Sequence, residues 1–462
     1  MQILNKLKFL LLILYFSFVN SQEIPNEFLD YHIKKFSTDM GNNWSGHSTF
    51  GPIRYKKMNL ANDSLIIKSR FGMMIDNNRK SFYAFGHFLY KNNFHGYLYP
   101  RVVNKSNLFD RYSGIPRGIN RGWFNSGETD LSGIAYENNW LLMQFGRGRQ
   151  SWGAGNDIEL ALSEQSNAYD YGMLDLDFGQ LKVRYFHGYL ETDSLFYNRY
   201  ITGRGIEWNN QRNFIFSLSE IVIYSGLNRP LDFAYMNPIA THLEIELNDR
   251  QNNIGTGSGN GIWQISFDYL LLKKIIISGN YLIDEYTLDS EQLDSGKGDG
   301  RAYSYKIVYS IINQSKIAAK LYFSNISVGT NTFKHQLGNN NFVQRNKPLG
   351  WQIGSDSRES KFGLKTMLNK KLFVNMEFGA RAIGEKNFIN DLYIGYTDYL
   401  DGPFPSGKVE NISFISSEFK WWLKDYIAIF GEYHFTNSSK TKEKKYILNF
   451  GFNIFYSIKQ KF

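Results

Sequence analysis

The chain has no cysteine in 462 residues. That excludes a disulfide framework, a thiolate metal site and a lipid attachment site. Proline is scarce, 9 against 41 glycines, so long strands can run without losing ladder hydrogen bonds. Beyond the first twenty residues no apolar run approaches the roughly 18 residues that read as a membrane-crossing helix. The 8 histidines are scattered. No G-x-S-x-G elbow, no H-E-x-x-H and no Cys/His metal spacing occurs, so no catalytic centre, metal or cofactor is expected. The net charge of +9 comes without a nucleic-acid-binding motif, which argues against nucleic acid. A basic face suits lipopolysaccharide phosphates or an acidic polysaccharide, or is simply charge on solvated loops such as Ser438 to Lys445.

What the chain has is an export signal and alternation. Lys6 and Lys8 precede the apolar run Phe9 to Val19, and Val19-Asn20-Ser21 suits cleavage. Residues 1–21 therefore read as a signal peptide, too short for a membrane anchor. Aromatics make up 17 %, with Phe 37 and Tyr 31. From Lys445 to Phe462 nearly every second residue is apolar: Tyr446, Leu448, Phe450, Phe452, Ile454, Tyr456, Ile458, Phe462. Only Ile447 and Phe455 interrupt the polar face. Period two is a strand, and two unlike faces mean two unlike solvents. The same pattern recurs at Trp263 to Leu271, Tyr303 to Ile311, Leu372 to Phe378 and Ile427 to Phe435.

An exported chain of this kind reads as all-β: a transmembrane antiparallel barrel of a Gram-negative outer membrane, with aromatic girdles. A large secreted β-protein is the alternative. The terminal Phe462 resembles the signal read by the barrel-assembly machinery, which joins outer-membrane lipid and lipopolysaccharide as an expected partner.

Short and long connections alternate. Short ones fall at Lys91-Asn92-Asn93, Asn138-Asn139, Gly179-Gln180, Asn209-Asn210, Lys273-Lys274, Asn313-Gln314, Asn369-Lys370 and Lys424-Asp425. Long ones fall near 104–128, 147–173, 191–200, 224–259, 287–300, 327–360 and 383–410. This predicts about 18 strands, with short periplasmic turns, long extracellular loops and both termini periplasmic. The barrel is expected over 61–462. Before it, 22–60 reads as a periplasmic helical or plug segment. Its helix is expected over Asn26 to Met40, capped by Asn26 and ended by Gly41.

The sharpest motif is Gly146 to Asp157, GRGRQSWGAGND. Its glycine spacing fits neither a phosphate loop nor a dinucleotide fingerprint. Arg147 and Arg149 share one side of a continuing strand. Trp152, between glycines, offers a flat ring of the type that stacks on a sugar. The alternative is that the glycines shape a bend and Trp152 joins the girdle. Further loop candidates for sugar binding are Asp157, Trp123, Arg229, Asn237, Asp249 and Arg250, with Trp351 in a later loop. A sugar site needs a stacking ring and planar polar groups that pair with hydroxyls.

Three stretches are similar to the Wzi-type capsule-assembly proteins: Gly146 to Ser163, Met236-Asn237-Pro238-Ile239 with the polar run through Asn253, and the pair Gly261 to Leu272 and Ile275 to Tyr286. The resemblance implies an 18-stranded outer-membrane barrel with a helical periplasmic plug that retains capsular or other extracellular polysaccharide. The chain departs from it at the start, where only about 40 residues precede the first strand. Three functions compete. One is a polysaccharide-holding barrel that performs no catalysis. One is a porin-like or sugar-permeable channel. The third is a lipid- or glycan-acting enzyme, for which His187 shares a face with Leu181, Val183 and Tyr185.

Overall fold

The computed structural model describes residues 28–42, 44–52, 65–118, 124–247, 259–285, 290–335, 338–388, 402–424, 426–440 and 444–461. Eighteen strands close into one antiparallel barrel, each paired with its neighbours in sequence. They are β1 Leu65–Asp76, β2 Lys80–Tyr90, β3 Phe94–Val103, β4 Ser126–Glu137, β5 Leu141–Gly148 and β6 Tyr169–Asp177. Next come β7 Leu181–Thr192, β8 Tyr197–Asn209, β9 Phe214–Leu227, β10 Asn260–Leu271, β11 Ile275–Glu285 and β12 Gly300–Asn313. The last are β13 Ile317–Val328, β14 Ser357–Leu368, β15 Leu372–Ile383, β16 Glu410–Lys424, β17 Ile427–Ser438 and β18 Lys444–Lys461. β18 returns to β1, with Phe71 opposite Tyr456, and leaves no edge.

Eight connections at one end span two to four residues each: 91–93, 138–140, 178–180, 210–213, 272–274, 314–316, 369–371 and 425–426. Every expected short turn falls at this end. Three carry two consecutive left-handed residues: Lys91-Asn92, Leu272-Lys273 and Asn369-Lys370. That is the primed-turn conformation whose twist matches paired strands. The long connections gather at the other end. Short connections at this end are 77–79 and 439–443, and also 191–200, expected to be long. β7 and β8 extend through most of it and leave only 193–196.

Burial is inverted relative to a water-soluble sheet. On β12, Tyr303, Tyr305, Ile307, Tyr309 and Ile311 are exposed, while Ser304, Lys306 and Ser310 are buried. The apolar face points outward and the polar face fills the interior, as lipid requires. Phe455, which breaks the polar face of β18, is buried inside against Phe28, ring centroids 6.3 Å apart.

The helix α1 runs Leu29–Asp39. Phe28 takes the N-cap position without a side-chain cap, and Gly41 follows the end at φ +70°, a left-handed close that suits glycine. The expected cap Asn26 and the expected leader lie outside the described residues. α1 sits within the barrel, not beyond its mouth. Phe28, Phe36 and Met40 pack with Tyr83, Phe85, Tyr97, Tyr99, Phe373 and Trp422 of the wall. Asp39 is ion-paired with Lys320 and lies 3.7 Å from Lys306.

Candidate functional site

The interior is filled by the chain itself. The connection 149–168 turns back inside, where Ser151–Trp152 pairs with Phe50–Gly51 and Trp152 bridges to Leu162. Trp152, Ile158, Leu160, Leu162, Phe333, Phe342, Leu349 and Phe388 share one apolar core with inward residues of the wall, including Phe186, Ile221 and Ile262. Polar wall groups hold this filling in place. The Asn280 amide accepts from Ala154 N at 2.7 Å and donates to Ala154 O at 2.9 Å. Glu207 accepts from Thr49 N and Thr49 Oγ1, both at 2.6 Å. Gly350 lies so close to Leu160 that a Cβ there would be 1.8 Å from its carbonyl oxygen.

This placement corrects the expectation for the central motif. Trp152 is not a ring with room around it. It is 0 % exposed, its centroid 4.8 Å from Phe50 and 5.2 Å from Phe186, and its indole N–H donates to Gln150. Arg149 is buried as well, donating to Ser166 O at 2.7 Å and facing Asp130 at 3.3 Å. Arg147 stays near the rim of β5, paired with Glu128 at 2.9 Å and Asp170 at 3.2 Å. Arg229 is buried against Asp232 at 2.8 Å, outside the barrel wall. Asn237 is exposed, its side chain accepting from Ile239 N. Trp123, Asp249 and Arg250 lie outside the described residues. Among the described residues, the candidates therefore do not converge on one surface.

Asp157 marks the place where polar groups do converge. A chamber of about 350 Å³ lies between the filling and the wall of β14 to β17. Tyr31, His32 and Lys35 of α1 line it, with Asp157, Glu159 and Glu164 of the inward connection and Lys361, Lys365, Glu377 and Glu418 of the wall. Asp110, in the connection 104–125, and Trp351 line it too. Asp157 is bonded to Lys35 at 2.8 Å and to Lys365 at 2.9 Å. Burial works against its charge, yet the Lys35 and Lys365 ammonium groups hold its carboxyl well below the usual range. Burial pushes the neighbouring Glu159 carboxyl up to about 7, against the pull of Lys35. Glu164 accepts from the Tyr31 hydroxyl at 2.7 Å.

Trp351 is the tryptophan of this chamber, which Tyr31, His32 and Phe373 also line. It is half-buried, its backbone N–H bonded to Leu160 O at 2.9 Å. Its buried indole N–H has no hydrogen-bond partner among the described residues. A ring beside carboxylates that accept, ammonium groups that donate and the Gln352 amide that can do both is the set a sugar unit needs. A second polar cavity, of about 540 Å³, reaches the short-turn end at Asn138, Trp140 and Gln211, and Glu159 and Glu164 line both cavities. Sequence reading recorded Trp351 singly. It missed Lys35, Glu159 and Glu164 because their convergence depends on a loop and a helix entering the barrel.

No family model matches the sequence. A search of curated proteins finds no match. Among solved structures, the chain is similar to Wzi of Escherichia coli, an outer-membrane protein involved in group 1 capsule assembly and described as a carbohydrate-binding β-barrel. That likeness has a TM-score of 0.60 and covers 95 % of this chain and 98 % of that one at 11 % identity. The fold is therefore that of Wzi, a closed antiparallel β-barrel. OprD of Pseudomonas aeruginosa also matches, with a TM-score of 0.43 at 9 % identity over 87 % of this chain and 97 % of that one.

Proposed function

We propose that this chain is a carbohydrate-binding barrel that holds capsular or other extracellular polysaccharide at the cell surface. Its long connections face outward, and both chain ends lie in the periplasm. One observation carries the reading. The described part of the chain packs into the barrel, and this filling leaves a small polar chamber lined by a half-buried tryptophan. A barrel of 18 strands is wide enough for an aqueous channel unless something occupies it. Occupation by α1 and three connections favours a holder over a conduit. A repeating polymer needs only weak single sites, since many barrels grip one chain at once.

The contacts assigned to this role are Trp351 for stacking, with Asp157, Glu159 and Gln352 pairing with hydroxyls. Arg147 is assigned to the outer approach. Among the expected candidates, Trp152 and Arg149 serve as supports beneath the site. The test is titration of the purified protein with polysaccharide extracted from the producing cells. Trp351→Ala removes a stacking contact worth on the order of 1–3 kcal/mol, so its Kd should rise by about tenfold or more. An unchanged Kd with normal heat-modifiable migration would place the site elsewhere.

A further inference from the structure

At one place among the described residues, lipid-facing positions of the wall carry a charge pair that is buried under protein. On β8 the outward row is Tyr200, Thr202, Arg204, Ile206, Trp208, and on β9 it is Phe216, Leu218, Glu220, Val222, Tyr224. Ile206, Trp208, Phe216 and Leu218 are exposed, as lipid-facing residues should be. Arg204 and Glu220 are buried and form an ion pair at 3.3 Å. Arg204 lies five residues from the short-turn end of β8 at Asn209. On β12 the bare apolar row Tyr303 to Ile311 lies two to ten residues from the corresponding end at Asn313. The charge pair is thus at the depth where β12 presents bare apolar side chains, and a charge exposed to acyl chains there is costly.

The cover is the first part of the connection 228–259. It folds down the outside of the wall as two short helices, Phe233–Met236 and His242–Leu247. Tyr235 stacks on outward Tyr224 at 4.3 Å between centroids and 9° between planes. The backbone N–H of His242 donates to Glu220 at 3.0 Å. Its ring sits on Gly261 of β10, where a Cβ would be 2.3 Å from it. Outward His187 bonds to the Tyr224 hydroxyl at 2.9 Å beneath the same cover. The cover's inner side is aromatic and polar. Its outer side exposes large apolar side chains, Phe233 at 80 %, Ile239 at 85 % and Leu243 at 52 %, with Asn237 and Glu244 exposed among them.

We propose that this connection lies within the outer half of the bilayer as a cap, with Phe233, Ile239 and Leu243 packed among lipid acyl chains. The occupant follows from continuity. The cap replaces part of the apolar belt, and its outer side carries that belt on over a patch the strands leave polar. An outward loop is thereby held against the barrel wall, not in water.

The absence of cysteine from the chain makes the test direct. Single variants Phe233→Cys and Leu243→Cys are spin-labelled in the full-length protein, reconstituted into phosphatidylethanolamine–phosphatidylglycerol vesicles. Tyr305→Cys on the bare wall and Leu195→Cys in the connection 193–196 serve as references, since both parent side chains are exposed. Relaxation by oxygen, which concentrates in lipid, is compared with relaxation by a water-soluble nickel chelate. The cap labels should behave like position 305: strongly relaxed by oxygen and about tenfold less accessible to nickel than position 195. Nickel access equal to position 195 would put the cap in water and overturn the proposal. Protection from both reagents would mean that protein covers these residues, which would overturn it equally. Heat-modifiable migration of each variant confirms that the barrel is intact.

Discussion

At the scale of residues, burial decides roles that sequence chemistry leaves open. Trp152 and Trp351 are alike in sequence, each beside glycine in a polar connection. One is the apolar keystone of the filling and the other edges a polar chamber. They should fail differently. Trp152→Ala empties a large buried volume and should cost about 3–5 kcal/mol. A midpoint of the heat-modifiable transition lower by several degrees, with polysaccharide binding retained in the fraction that stays folded, is the expected outcome. An unchanged midpoint would contradict the packing. Glycines made the motif look like an exposed sugar platform. At Gly153, with φ +142°, glycine instead allows a close approach to Asn280.

Elements show where sequence reading succeeds and where it stops. Strands and turns were legible because their signals are local: alternation of two, and Asn, Lys and Gly at tight turns. The missed case, 191–200, shows why length alone misleads, since strands can run beyond the membrane. The helix was legible at Phe28, Ile33 and Phe36, yet its place inside the barrel was not. That place depends on wall groups distant in sequence, above all Lys306 and Lys320 around Asp39. This contact is testable through pH. Burial opposes charge on Asp39, but the two ammonium groups hold its carboxyl well below the ordinary value. A depressed carboxyl gives stability that is fully present above the unfolded value of about 4 and is lost as pH falls below it. The midpoint gap between wild type and Asp39→Asn should therefore be constant from pH 7 to about 5 and narrow below about 4. A gap independent of pH down to 3 would mean that this ion pair does not hold the helix.

For the whole molecule, closure and filling act together. Closure removes edges and turns the apolar face to lipid. Filling converts a wide bore into a packed interior with charge pairs at its rim. Candidate residues were the least legible level, because Trp152, Arg149 and Arg229 acquire their roles only when connections fold against the wall. The central claim is that this filled barrel holds polymer rather than passing it. The most direct measurement is the distribution of polysaccharide between cells and medium, compared in producing cells with and without the chain. The account predicts unchanged total polysaccharide, with the cell-associated fraction falling sharply when the chain is absent and recovering when it is restored. An unchanged distribution, or a loss of total exported polymer instead of its retention, would contradict it.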